Sequence, residues 1–339
     1  MRRYGRKNRR PVRRNSLRRW GGRLIRHRFA CHSLFRAEGY GAHEVSCSTD
    51  ILGLAAAPQD RAAVRRYVES SEPYLHDLRT HNKEYHRQFV TLVQRWIPYG
   101  VHVLEVGCGT GLATALLAAR GYRTIGVDLS TLFLRRGGQQ GQAPLVAADA
   151  ETLPFPTSSF HAVVGFEFIE HVADVPAVLS ELIRVLAPGG VLLLHSPNLC
   201  SPVFPLVDLA SLFLGRGGRS FFAETPRQAL QWLKTNTRLT ARKLRSRYPE
   251  FLYRRPDLSD RYVGGDADSL YLACQIDLAR YLRRQHMEVL GKSWGESAAS
   301  RVLAWLLPDV APYIAIVARK PGTSQQILVH RDGKRVTLA

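Results

Sequence analysis

Three carboxylates close three successive apolar runs: Glu105 in Val103-Leu104-Glu105-Val106, Asp128 in Gly126-Val127-Asp128, and Asp149 in Ala148-Asp149-Ala150. After the first comes a glycine-dense turn, Gly107-Cys108-Gly109-Thr110-Gly111. An apolar run entering such a turn is how a parallel strand hands over to a helix at a nucleotide pocket. The glycines let the backbone turn tightly and approach a ligand closely. They do not complete the dinucleotide fingerprint, which requires glycine at 112 where Leu112 stands. A pyrophosphate also fits poorly beside Glu105, because like charges repel strongly in a low-dielectric pocket. Taken singly, acids often cap or flank helices. Taken together in a chain of net charge +20, they describe a pocket for a cationic or hydroxyl-rich ligand.

S-adenosylmethionine answers that description. It lacks phosphate and carries a sulfonium, an ammonium, a carboxylate and two ribose hydroxyls. Glu105 is expected near the ammonium end, Asp128 on the ribose hydroxyls and Asp149 on the adenine amino group. The chain resembles the class I S-adenosylmethionine-dependent methyltransferases, in the group similar to the ubiquinone-biosynthesis C-methyltransferases. Four segments carry this: 103–111, Gly126-Val127-Asp128-Leu129-Ser130, 148–160, and Arg184-Val185-Leu186-Ala187-Pro188-Gly189-Gly190 continuing to Leu194. Between them Phe168-Ile169-Glu170-His171-Val172 matches the Glu-His segment of that group. One departure is His161, where the group usually has Asp; that position is mainly structural. The expected cofactor contacts are Glu105, Gly107, Cys108, Gly109, Gly111, Asp128, Leu129, Asp149, Ala150 and Phe166.

Methyl transfer is in-line displacement at a sulfonium, so the cofactor supplies the reactivity and the protein positions the reactants. A proton must leave when the acceptor is neutral. His171 is the first candidate base, since its side chain titrates near neutrality. Glu170 and Glu167 are further candidates, one of which could orient the methionine ammonium.

Positioning these groups requires alternating elements. Strands are expected near 101–106, 123–128, 144–148, 160–166 and 189–196, with helices near 111–120, 130–137 and 174–186. This βαβ succession predicts an α/β, Rossmann-like fold whose mostly parallel sheet carries helices on both faces. The resemblance implies seven strands. Ligands in such sheets bind at the carboxyl ends of the strands, where 105, 128, 149 and 166 fall. Upstream, the spacing of Val64, Tyr67, Val68, Tyr74, Leu75, Leu78, Phe89, Leu92, Val93 and Trp96 predicts a helical cover over 59–99. Pro98-Tyr99-Gly100 ends it. Residues 197–270 interrupt the alternation for too long to be structureless, so a helical insertion or lid is expected there. A helix near 276–284 and strands at 286–294 and 312–319 close the domain at about residue 320. A tail or small hairpin around Asp332-Gly333 follows.

The charge is uneven. Residues 1–36 hold 14 Lys/Arg and no acid, residues 216–255 hold 11 Lys/Arg and two acids, and the rest is close to neutral. Residues 1–58 are expected to be a basic, disordered tail, a reading open to targeting or over-extension of the frame. Five widely spaced cysteines form neither a disulfide framework nor a Cys-x-x-Cys pattern. Reduced thiols in a cytoplasmic protein without a metal are therefore expected. No uncharged apolar run of spanning length occurs; 199–214 is interrupted by Pro202, Pro205 and Asp208. Peripheral membrane contact stays open, as does oligomeric state. The leading function is methylation of a small-molecule or lipid-like acceptor beneath the insertion. The alternative is an RNA methyltransferase using the basic segments on phosphates, although 165–168 lacks the Pro-Pro pattern of base N-methyltransferases. A further class is a cofactor-binding module without activity or a dehydrogenase, of which the dehydrogenase fits Leu112 and the clustered acids least.

Overall fold

The structure, a computed structural model, describes residues 61–336 apart from 81–82, 138–142, 215–222, 224, 259–265, 267, 293–297, 323–328 and 332–333. The expected basic tail, 1–58, lies outside the described residues. Three helices open the described chain: α1 (Arg61–Ser70), α2 (Glu72–Thr80) and α3 (Lys83–Trp96). The alternation follows as β1 (His102–Val106), α4 (Leu112–Ala118), β2 (Arg123–Asp128), α5 (Thr131–Gly137), β3 (Leu145–Ala147), β4 (Phe160–Phe166), α6 (Val175–Val185) and β5 (Leu186–Pro197). A 3-10 turn, Ile169–His171, lies between β4 and α6. The insertion contributes α7 (Val203–Phe213) and α8 (Pro226–Arg245). The chain returns through α9 (Gln275–Arg284), β6 (Glu288–Lys292), α10 (Ala298–Leu306) and β7 (Tyr313–Arg319). A hairpin of β8 (Val329–Arg331) and β9 (Lys334–Val336) follows.

Seven strands form one sheet in the order β3-β2-β1-β4-β5-β7-β6. The pairings of β1 to β5 are parallel, whereas β7 runs antiparallel to both β5 and β6. The expected α/β, Rossmann-like architecture is what the chain adopts. Strands buried on both faces read as apolar runs, and Leu192, Leu193 and Leu194 are at most 1% exposed. One face packs against α6 and α9 through Val178, Leu179, Leu182, Leu278 and Leu282. The other packs against α3 and α4 through Phe89, Val93, Ala113 and Leu117. Each of these Val, Leu and Phe side chains contributes about 1.5–3 kcal/mol of burial.

The cover is divided where one continuous helical pattern was expected. Its α1 is fastened over the end of β2, where Ser130 Oγ donates to the Val68 carbonyl at 2.6 Å. Arg61 bridges to Glu151 at 2.5 Å and Asp174 at 3.3 Å. Among the described residues of 197–270, α7 and α8 are helical. Thr225 starts α8 with a reciprocal capping box, its hydroxyl accepting from Gln228 N–H while the Gln228 side chain accepts from Thr225 N–H. Helix α10 was not anticipated.

Candidate functional site

Gly107, Gly109 and Gly111 all have positive φ, at 72°, 53° and 77°. At Gly107 a Cβ would also fall 2.4 Å from the Phe168 ring, so the turn and the segment after β4 touch only because the side chain is absent. Gly107 and Cys108 N–H groups both donate to the Val127 carbonyl, at 2.8 and 3.0 Å. This lays the turn against β2 and fixes Asp128, whose Oδ2 accepts from Gly109 N–H at 2.7 Å and Oδ1 from Ser130 N–H at 2.8 Å. Asp128 is thus aimed by the glycine turn itself. A carboxylate offers about four lone-pair positions, so each oxygen keeps one for a ligand hydroxyl.

Glu105 lies deeper. It is 2% exposed and accepts a hydrogen bond from Thr114 Oγ1 on α4. Burial raises its pKa to about 8; the Thr114 bond opposes this and the charge of Asp128 adds to it. Cys108 is buried with its thiol pushed well up, chiefly by burial and then by Asp128 and Glu105. Leu129 and Ala150 are half-buried, and Asp149 is exposed with Oδ1 accepting from Glu151 N–H at 2.9 Å. Phe166 is buried among Phe89, Tyr85 and His195, at ring separations of 4.6, 4.8 and 5.4 Å.

The segment after β4 is held in an unusual backbone. Glu167 has φ 50°, a region where side chains are uncommon. Its Oε1 accepts from Tyr85 Oη at 3.0 Å and lies 3.0 Å from His195 Nδ1. Glu170 is completely buried, with Oε2 accepting from Ser196 Oγ at 3.0 Å. Its backbone carbonyl accepts from both Leu270 and Tyr271 N–H, at 2.8 and 2.9 Å. The returning end of the insertion is therefore stitched to the Glu-His segment.

That return brings two acids. Asp268 Oδ2 lies 3.2 Å from His171 Nδ1, and Glu170 Oε1 is 3.9 Å from His171 Nε2. Burial opposes a charged ring, yet Asp268, then Glu170 and Asp266, outweigh it and raise the His171 pKa to about 10. The ring therefore holds its proton at neutrality and must release it before acting as a base. Burial, only partly offset by His171, holds Glu170 well above the carboxylate range. Asp268 is held low by His171 despite its burial. The Tyr74 hydroxyl is pushed well up by burial and then by Asp268, Glu170, Asp128 and Asp266, so α2 lies within reach of both groups of acids.

The sequence reading did not single out Asp266, Asp268, Arg254 or His195. Arg254 Nε donates to the Ser269 carbonyl at 3.1 Å, and its guanidinium also donates to the Asp266 carbonyl. Only His195 carried a local signal: a ring interrupting the apolar run Val191-Leu192-Leu193-Leu194.

Residues 104–194, from β1 through most of β5, match the family described as a methyltransferase domain. This segment is a class I S-adenosylmethionine-dependent methyltransferase domain. The chain is 38% identical over 118 residues to a demethylmenaquinone methyltransferase of Symbiobacterium thermophilum, covering 32% of this chain and 46% of that protein. It is 31% identical over 123 residues to a ubiquinone biosynthesis O-methyltransferase of Xanthomonas oryzae pv. oryzae, covering 34% and 52%. The chain thus spans about half the length of these curated relatives. Among solved structures, 1,6-didemethyltoxoflavin-N1-methyltransferase of Burkholderia thailandensis aligns over 79% of this chain and 92% of its own, at 17% identity and a TM-score of 0.48. No helix among the described residues is long and apolar enough to cross a membrane.

Proposed function

We propose that the protein transfers a methyl group from S-adenosylmethionine to a small-molecule or lipid-like acceptor. The observation that carries this is Asp128, aimed by Gly109 and Ser130 N–H groups with lone pairs left for a ribose diol. The carboxyl groups Glu105 and Asp149 close neighbouring apolar runs, and His171, the cation that acts on Asp128, is itself faced by Asp268 and Glu170. The donor set suits a phosphate-free, cationic, hydroxyl-bearing cofactor. When bound, that cofactor supplies an electrophilic methyl group.

The chain's own residues then have separate tasks. The glycine turn admits the cofactor backbone-close, and Asp128 fixes the ribose. The cover α1–α3 closes one side and the insertion, 197–270, the other. Water is excluded by Phe166, Phe168, Tyr74 and the aromatic packing around them. His171 and Glu170 are the candidate acceptors of a proton from the substrate, each of which must first give up the proton that its surroundings hold on it. Names of relatives that act on quinone precursors support a ring-bearing, partly apolar acceptor.

Calorimetric titration tests the reading. S-adenosylmethionine should bind at one site and NADH should not. Saturable NADH binding with none for S-adenosylmethionine would overturn it. Incubating native extract with methyl-labelled cofactor and reading labelled products by mass spectrometry would then identify the acceptor.

A further inference from the structure

We propose that Glu170, His171 and Asp266 form a binding site for one divalent metal cation of the Mn2+/Mg2+ class. One ligand atom from each of the three lies within 4.8 Å of the other two, a spacing that a single ion can bridge. A cation about 2.1 Å from each donor holds its ligands about 3.0–4.2 Å apart, so the three need to close by only some tenths of an ångström to about an ångström. Glu170 Oε1 is the independent observation: it belongs to a side chain with no exposure and has no hydrogen-bond partner. At 3.9 Å from His171 Nε2 it faces the ring beyond hydrogen-bonding range. A buried carboxyl oxygen without a hydrogen-bond partner is costly whether or not the group is ionised, and a bound cation would answer it directly.

The surroundings are arranged as a metal-binding histidine requires. Nδ1 of His171 faces Asp268 at 3.2 Å, leaving Nε2 toward Glu170. A carboxylate behind one ring nitrogen favours the tautomer that presents the other to an ion, which would displace the ring's second proton on binding. Asp266 is placed by its backbone, with φ 60° and its carbonyl held by Arg254. Backbone held outside the usual regions persists where the surrounding structure over-determines it, and such residues cluster at functional sites. Two carboxylates and one imidazole, with no thiolate among the three, favour Mn2+ or Mg2+ over the soft ions. The site joins the Glu-His segment after β4 to the end of the insertion, residues 96 apart in sequence, so no spacing motif announces it. If the proposed methyl transfer holds, the ion would anchor an oxygen of the acceptor there; the site itself does not depend on that reading.

The test uses the full chain and Mn2+ alone. Quenching of the free Mn2+ paramagnetic resonance signal should show one saturable site. Pulsed resonance of the bound ion should show nitrogen coupling from an imidazole. Glu170→Gln and Asp266→Asn should each weaken Mn2+ about tenfold or more, and Asp268→Asn about 10- to 100-fold through the ring it orients. Exposed Glu288→Gln should change nothing. Absence of a saturable site, absence of nitrogen coupling in the unmutated protein, or affinity unaltered in Glu170→Gln overturns the proposal. S-adenosylmethionine titrations on the same preparations separate the two readings: a missing Mn2+ site with intact cofactor binding sinks only the metal site.

Discussion

Replacing Lys243 by Met tests whether the insertion is fixed to the core or free to swing. Lys243 on α8 and Asp277 on α9 form an ion pair in which neither side chain has any exposure. The same two groups hold residue 250 from both sides: Lys243 Nζ donates to the Glu250 carbonyl at 2.6 Å, and Glu250 N–H donates to Asp277 Oδ1 at 2.9 Å. Removing the ammonium leaves Asp277 buried with one neutral donor, a loss of about 3–5 kcal/mol. In a domain of this size that lowers the melting temperature by roughly 6–20 °C, at about 2–4 °C per kcal/mol. Asp277→Leu should cost a similar amount, for the mirror reason. In the double variant Lys243→Met/Asp277→Leu both charges are gone, and what remains is chiefly the orphaned N–H and carbonyl of Glu250, about 1–3 kcal/mol each. Thermal melts and urea titrations of the four proteins close the cycle. A double-variant loss equal to the sum of the single losses would refute the reasoning, since it would mean the charges do not compensate each other.

Asp128→Ala should weaken S-adenosylmethionine by about 100-fold, because hydrogen bonds to a charged group are each worth about 1.5–3 kcal/mol; calorimetry checks this, and unchanged affinity would remove Asp128 from the site. The raised pKa of Glu105, from 4.5 to about 8, has a definite sign. Between those values the folded protein binds the proton that the unfolded chain releases, so stability without ligand is full below about pH 4.5 and falls as pH rises through 8. The contribution is on the order of 4–5 kcal/mol, and denaturant melts of Glu105→Gln against the native chain should show that difference flattening; parallel pH profiles would contradict it. Gly107→Ala meets both a φ of 72° and the Phe168 ring. The backbone alone costs about 1–2 kcal/mol, and the variant should melt lower and bind cofactor more weakly; a native melting curve would show that Phe168 yields freely.

The first half of the candidate site was readable because its signals are local. Glu105, Gly107, Asp128 and Asp149 lie in apolar runs and turns whose periods report strands and helices directly. The 3-10 turn at 169–171 already carried Glu170 and His171 in sequence. What surrounds them did not show, because Asp266, Asp268 and Arg254 arrive from a segment with no apolar period. Long-range pairing leaves no spacing signature. Lys243 was legible only as one more charge in a basic stretch, since nothing in Arg242-Lys243-Leu244-Arg245 distinguishes the buried residue from exposed Leu244. Helix α10 is hidden for a different reason: Val302, Leu303, Ala304, Trp305 and Leu306 form an unbroken apolar run without helical period, and Val302, Trp305 and Leu306 are exposed in the fold.

Both ends of the 197–270 segment are fastened beside the same strand ends. Asn198 N–H donates to the Pro312 carbonyl at 2.7 Å, and residues 270 and 271 donate to Glu170. Closing a chain between fixed posts costs little more as the chain lengthens, about 0.6 kcal/mol per doubling. Whole segments can therefore be traded between those posts during descent while the half of the molecule that holds Asp128 stays as it is.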